Sequence, residues 1–172
     1  TTSEPPTPTA PSTTTTTPPS TVPPSPAVTA GSPVTVTGIG PLVTPMSLTD
    51  ASRLFGRTLT ASYDLPPCGF AETGIAGLWL MVDGETVVRV DVTTESPGIT
   101  TAAGIGEGST EAEVRAAYPG VVTQPGTYSG NDMIVTNPAS PDHSLLFQTD
   151  GQRVTDLRSG LSQWVAAPEG CA

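Results

Sequence analysis

The chain has 172 residues, 16 Asp and Glu against six arginines, no lysine and a net charge of −10. That length holds one ordinary domain plus a tail. The charge leaves no basic footprint for nucleic acid and disfavours an anionic membrane surface, and no run approaches the ~18–20 apolar residues that span a bilayer.

Residues 1–32 are almost entirely Thr, Pro and Ser, as in Thr13-Thr14-Thr15-Thr16-Thr17-Pro18-Pro19-Ser20. Proline removes donors and favours extended polyproline II, and so little apolar surface cannot offset ordering entropy. The expectation is a disordered stalk followed by a folded domain over 33–172. The chain starts inside this run without a Met, as a processed or truncated product would. Such stalks resemble those that follow the lipidated cysteine of secreted actinobacterial lipoproteins. The resemblance implies an extracellular or cell-surface place in a bacterial envelope, with tethering through the N-terminus.

In the folded part, Pro33-Val34-Thr35-Val36-Thr37 alternates and is β-branched, which predicts a strand. A helix follows: Ser47 caps it, Asp50 sits at the capping-box position, Leu48, Ala51, Leu54 and Phe55 make the apolar stripe, and Gly56 stops it. Residues 57–77 predict an irregular region with one short strand. Leu78–Val82, the Asp83-Gly84 turn and Thr86–Val92 predict a hairpin. Thr110 and Glu113 form the capping box of a second helix, whose apolar positions are Ala112, Val114, Ala117 and Tyr118. Pro119-Gly120 ends it. Strands are then expected over Val121–Thr123, Asp132–Thr136, Ser144–Thr149 and Arg153–Arg158, with Leu161–Val165 as a last short one.

These elements repeat. Ser47 matches Thr110, Asp50 matches Glu113 and Phe55 matches Tyr118. Downstream, Leu80 matches Phe147, Asp83-Gly84 matches Asp150-Gly151, and Val90 matches Leu157. A period of roughly 65 residues is too long for a solenoid unit and fits a duplicated subdomain. The fold class expected is α+β: two helix-plus-antiparallel-meander repeats, about 39–100 and 101–165, forming one sheet with helices on one face. The middles, 57–77 and 121–143, show no match.

A tandem of helix and antiparallel meander resembles the β-lactamase inhibitor proteins and the BamE/SmpA-type envelope lipoproteins. The whole layout also resembles secreted actinobacterial proteins with a Thr/Pro stalk. The inhibitor family carries a disulfide within each repeat. Here the two cysteines, Cys68 and Cys171, predict one bridge from repeat one to the chain end. It would close a loop of about 100 residues, worth roughly 4–5 kcal/mol in the chain-entropy model.

No catalytic constellation is legible. His143, the only histidine, sits in a turn-like Pro141-Asp142-His143-Ser144 and reads as a solvated loop residue. Gly104-Ile105-Gly106-Glu107-Gly108-Ser109 lacks the Lys-Ser/Thr end of a phosphate loop. Neither Asn131 with Asp132 nor Asp150 with Asp156 has the spacing of a calcium loop. No cofactor, metal or catalytic residue is assigned. Along 78–82, Leu78, Leu80 and Val82 point one way and Trp79 and Met81 the other. Helices cover one face, so Trp79 and Met81, with Trp164 as a neighbour, are the candidate binding residues on the other. A two-residue turn would put Trp79 beside Val88 and an odd-length loop beside Arg89, and the sequence leaves both open. Tyr128 joins the candidates because it lies in an unmatched middle, where specificity belongs. The expectation is a non-catalytic binding module whose partner is a protein or a cell-wall glycan. The alternatives are an inhibitor of an extracellular enzyme and a hydrolase with an acidic site.

Overall fold

The structure, a computed structural model, describes residues 1, 26–96 and 98–168. Most of the predicted stalk, residues 2–25, and Cys171 lie outside the described residues. Packed structure begins before residue 33. Val28 is buried, and its N–H donates to the Leu54 carbonyl at 2.9 Å. One valine among Thr, Ser and Pro gives no periodic signal, so the sequence hid this contact.

Three two-residue strands, β1 (Val34–Thr35), β2 (Gly38–Ile39) and β3 (Leu42–Val43), form a small sheet where one longer strand was expected. Gly38 breaks that strand: its φ is 152°, and a Cβ there would collide with the Leu42 carbonyl. Strand β4 (Met46–Ser47) leads into helix α1 (Leu48–Leu54), capped by Ser47, whose side chain accepts from the Asp50 N–H. Strands β5 (Ala61–Leu65), β6 (Cys68–Glu72), β7 (Leu78–Asp83) and β8 (Thr86–Val92) follow. Helix α2 (Glu111–Ala117) has the complete capping box of Thr110 and Glu113. Then come β9 (Val122–Pro125), β10 (Asn131–Asn137), β11 (Ser140–Thr149), β12 (Val154–Leu161) and helix α3 (Ser162–Val165).

The fold is α+β. Its main sheet is antiparallel and runs β5-β6-β7-β8-β12-β11-β10-β9, with β4 also paired to β8. Each half of the chain, α1 to β8 and α2 to β12, is a helix followed by a four-stranded meander. The halves meet along their last strands.

Their registers correspond closely. In the first hairpin Asp83 pairs with Thr86, so the two loop residues are Gly84 and Glu85. Val82 pairs with Val87 and Met81 with Arg89, which leaves Val88 as a bulge. Trp79 therefore pairs with Asp91, in neither of the two registers expected. In the second hairpin Thr149 pairs with Val154 and Gln148 with Asp156, which leaves Thr155 as the bulge. The Val82–Val87 and Met81–Arg89 pairs thus match Thr149–Val154 and Gln148–Asp156 at a shift of 67 positions (148 against 81, 156 against 89). The unmatched middles also fold alike: Ser62 pairs with Phe70, and 62 positions on (124 against 62, 132 against 70) Gln124 pairs with Asp132. At the seam, Val92 pairs with Leu157, Asp91 with Arg158 and Val90 with Ser159. The same shift of 67 maps the Asp91–Arg158 pair onto itself.

One core cluster joins Leu78, Leu80, Val82, Val90, Val92, Met133, Leu145, Phe147 and Leu157 of the strands to Ala51 of α1 and Val114 of α2. The Tyr118 and Phe147 rings lie 5.5 Å apart within it. A second cluster holds Cys68, Met81 and Val88, with Phe70, Leu161 and Trp164 packed against it. Alternation along the strands puts this second cluster on the opposite, outer face of the sheet.

Two local expectations change. Ser162–Val165 is a helical turn rather than a strand, because β12 ends where Leu161 pairs with His143 and the chain folds back to bury Trp164. His143 lies in β11, half-buried, with Nε2 2.6 Å from the Thr44 carbonyl. A carbonyl only accepts, so Nε2 carries the proton, and this is a structural tie rather than a solvated loop residue.

Candidate binding surface

The outer face is divided by the chain's own C-terminal segment. β8 places Arg89 and Asp91 two residues apart on that face, and β12 places Arg158 opposite Asp91. Arg89 is 2% exposed. Its Nε donates to Asp91 Oδ2 at 2.9 Å, and its Nη1 donates to the carbonyls of Trp164 at 2.7 Å and Ala167 at 3.0 Å. Its guanidinium carbon also stands 5.7 Å from the Phe70 ring centroid. Arg158 donates to the carbonyls of Ala167 at 3.3 Å and Pro168 at 3.0 Å, and its Nε lies 3.7 Å from Asp91 Oδ1. Burial, and the neighbouring Arg89 charge, hold the Arg158 guanidinium below its ordinary pKa. Arg89 and Arg158 thus bind three carbonyls of residues 164–168, making that segment a strap across the middle of the face.

The strap closes the first half. Met81 is fully buried beneath it and cannot meet a partner, which corrects its place among the binding candidates. Trp164 is half-buried and supplies part of the cover instead. Trp79 is half-buried beside Asp91, in the row that continues through Arg158, Leu146 and Ile134 to Val122. Cys68 is buried in the same outer cluster, and no free thiol occurs among the described residues.

The second half carries different chemistry at equivalent positions. Where the first half has Phe70, Met81 and Arg89, the second has Asp132, Gln148 and Asp156. Gln124 on β9 extends that row to the sheet edge. Burial raises the Asp132 carboxyl above its usual range, only partly offset by Arg158. Its Oδ1 is shielded from solvent and has no hydrogen-bond partner among the described residues. Of the four exposed large hydrophobic residues among the described residues, two belong to the β9–β10 hairpin, and the others, Val43 and Tyr63, lie in the first half of the chain. The two most exposed among the described residues are Tyr128 at 62% and Val122 at 60%. Val122 is on β9, and Tyr128 is in the loop from β9 to β10.

Other polar groups have structural partners. Glu111 accepts from Asn131 at 2.7 Å, Thr149 at 2.8 Å and Arg115 at 3.0 Å, and these bonds, led by Asn131, hold its carboxyl below the usual range. Asp150 accepts from the N–H groups of Arg153 and Gln152, which lowers it likewise. A cleft of about 620 Å³ opens between α1 and β5, lined in part by Ser52, Arg53, Arg57 and Tyr63. Arg53 is held there by Asp50, and Tyr63 is anchored to the Gly84 carbonyl at 2.5 Å. Among the described residues no three His, Cys, Asp or Glu side chains gather to hold a metal, and no helix is long and apolar enough to cross a membrane.

Sequence reasoning missed Arg89, Asp91 and Arg158. The first two were within reach: two charges two apart inside a valine-rich strand must share one face, and a matched pair on a face implies a partner for both.

No family model matches this sequence, and searches of curated proteins and of solved structures returned no significant match.

Proposed function

We propose that this chain is a non-catalytic binding module of the bacterial cell envelope or exterior, built as a tandem duplication with α1 and α2 on one face of the sheet. Equal registers and equally placed bulges in the two halves support the duplication. The Thr/Pro-rich segment supports an extracellular stalk. A bridge from Cys68 to Cys171 is consistent with the strap through Pro168, whose Trp164 packs against the cluster containing Cys68.

The observation that carries the binding reading is the unequal outer face: its first half is sealed by the strap, while the second keeps Val122 and Tyr128 exposed. Isolated exposed apolar residues are common; two on one edge hairpin, with Ile134 partly exposed beside Val122, are what this reading takes as the interaction surface. The test is retention of the purified chain on isolated cell envelopes. Val122→Asp should abolish retention with the fold intact by circular dichroism. Equal retention of the variant, or no retention of the wild type, would sink the reading.

The tandem order of the sheet supports a second reading, inhibition of an extracellular enzyme, through the resemblance to β-lactamase inhibitor proteins. A panel of secreted hydrolases assayed with an excess of the chain tests it, and uniformly unchanged rates would end it.

A further inference from the structure

Resting on the binding reading, the second-half flank also specifies what kind of partner it takes. In the first half the sheet supplies the cation, Arg89, and the cover supplies carbonyl acceptors from Trp164 and Ala167. At the equivalent positions of the second half the sheet supplies acceptors: the carboxylates of Asp132 and Asp156 and the side-chain amides of Gln124 and Gln148. The cation beside them, Arg158, is already engaged with Asp91, Gln148 and the carbonyls of Ala167 and Pro168. Next to this row stand Val122 and the partly exposed Ile134, paired across β9 and β10. The net charge of −10 would steer a cation toward the molecule and repel an anion.

We infer that the flank formed by β9, β10 and β11, open at Val122 and Gln124, docks a polypeptide segment carrying a lysine or arginine next to an apolar side chain. The apolar group sits on Val122 and Ile134, and the cation lies over Asp132 and Asp156. Those carboxylates then gain a second cation beside Arg158, whose guanidinium is shared with Asp91 and the strap carbonyls, while the apolar contact fixes position.

Amide NMR of the full chain tests this, with a synthetic basic peptide (acetyl-Leu-Arg-Val-Lys-amide), the same peptide with Glu at both basic positions, and a neutral N-acetylglucosamine oligomer. The basic peptide should shift resonances at Val122, Gln124, Asp132, Ile134, Gln148 and Asp156. Its affinity should fall about tenfold between low and high salt. The near-isosteric double variant Asp132→Asn, Asp156→Asn should lose about tenfold at unchanged fold. The acidic peptide should be silent. Shifts spread over carboxylates all round the molecule, no shifts at all, or wild-type affinity in the double variant would overturn the inference. Binding of the acidic peptide or the neutral oligomer on this flank would also overturn the cationic chemistry, yet leave the binding reading standing. That reading falls separately, if Val122→Asp is retained on envelopes like the wild type.

Discussion

The two halves of the sheet share a register and differ in what lies over them. In the first, Phe70, Met81 and Val88 are apolar and Trp164 seals them. In the second, Asp132, Gln148 and Thr155 occupy the equivalent places and nothing among the described residues seals them in that way. One backbone plan therefore serves two purposes. An apolar outer surface must be covered for the monomer to be soluble, so the first half recruits the chain's own end. A polar one needs no such apolar cover.

Substitutions at equivalent positions should break this symmetry in a set order. Arg89→Ala would leave the Trp164 carbonyl without its donor and Asp91 with only the longer Arg158 contact, in a buried site, and should cost about 3–5 kcal/mol, whereas Asp156→Ala should stay within about 0.5 kcal/mol. Paired urea titrations measure both, and equal costs would erase the distinction between the halves. Met81→Ala should cost about 2–5 kcal/mol, against about 0.5 kcal/mol or less for Gln148→Ala. The helix caps should behave alike in the two halves: Ser47→Ala and Thr110→Ala should each cost about 1 kcal/mol, with Thr110 the larger because its box is complete.

The smallest effect concerns Asp132 and has the opposite sign. Its folded carboxyl is raised by burial, so its charged form opposes folding. The stability linked to its proton is fully present below the unfolded pKa and is lost as pH rises through the folded one. Asp132→Asn should therefore be slightly more stable than wild type at neutral pH, and the gap should shrink on acidification. Melting temperatures at a series of pH values check this. A variant less stable at neutral pH would make Asp132 a structural acid rather than one reserved for a partner. Glu111 provides the control: its folded carboxyl is lowered, so its contribution is present above the unfolded pKa and is lost as pH falls through the folded one.

Much of the scaffold was legible. Ser47 with Asp50, and Thr110 with Glu113, located both longer helices because a cap is read over four consecutive residues. Leu78–Val92 and Ser144–Arg158 located the central hairpins by alternation. The Trp79 register was not legible, because a one-residue bulge at Val88 leaves no mark in a run of valines. Both strands of the β9–β10 hairpin were expected, at Val121–Thr123 and Asp132–Thr136, but not the run of β9 on to Pro125, since Gln124-Pro125 carries no apolar repeat. Of the binding candidates, Trp79 and Tyr128 remain partly or largely exposed, while Met81 and Trp164 belong to the sealed half.

By itself the sequence determined the acidic charge, the low-complexity segment, the paired caps and the pattern of strands, since each of these follows from residue type and short-range spacing. Only the tertiary structure decided that the halves join along β8 and β12, that Asp91 and Arg158 meet at that seam, and that residues 164–168 cross the outer face over it. Those contacts link positions up to 78 residues apart, as between Arg89 and Ala167. No local pattern encodes them, because they depend on which apolar surface remains uncovered after the meanders have formed.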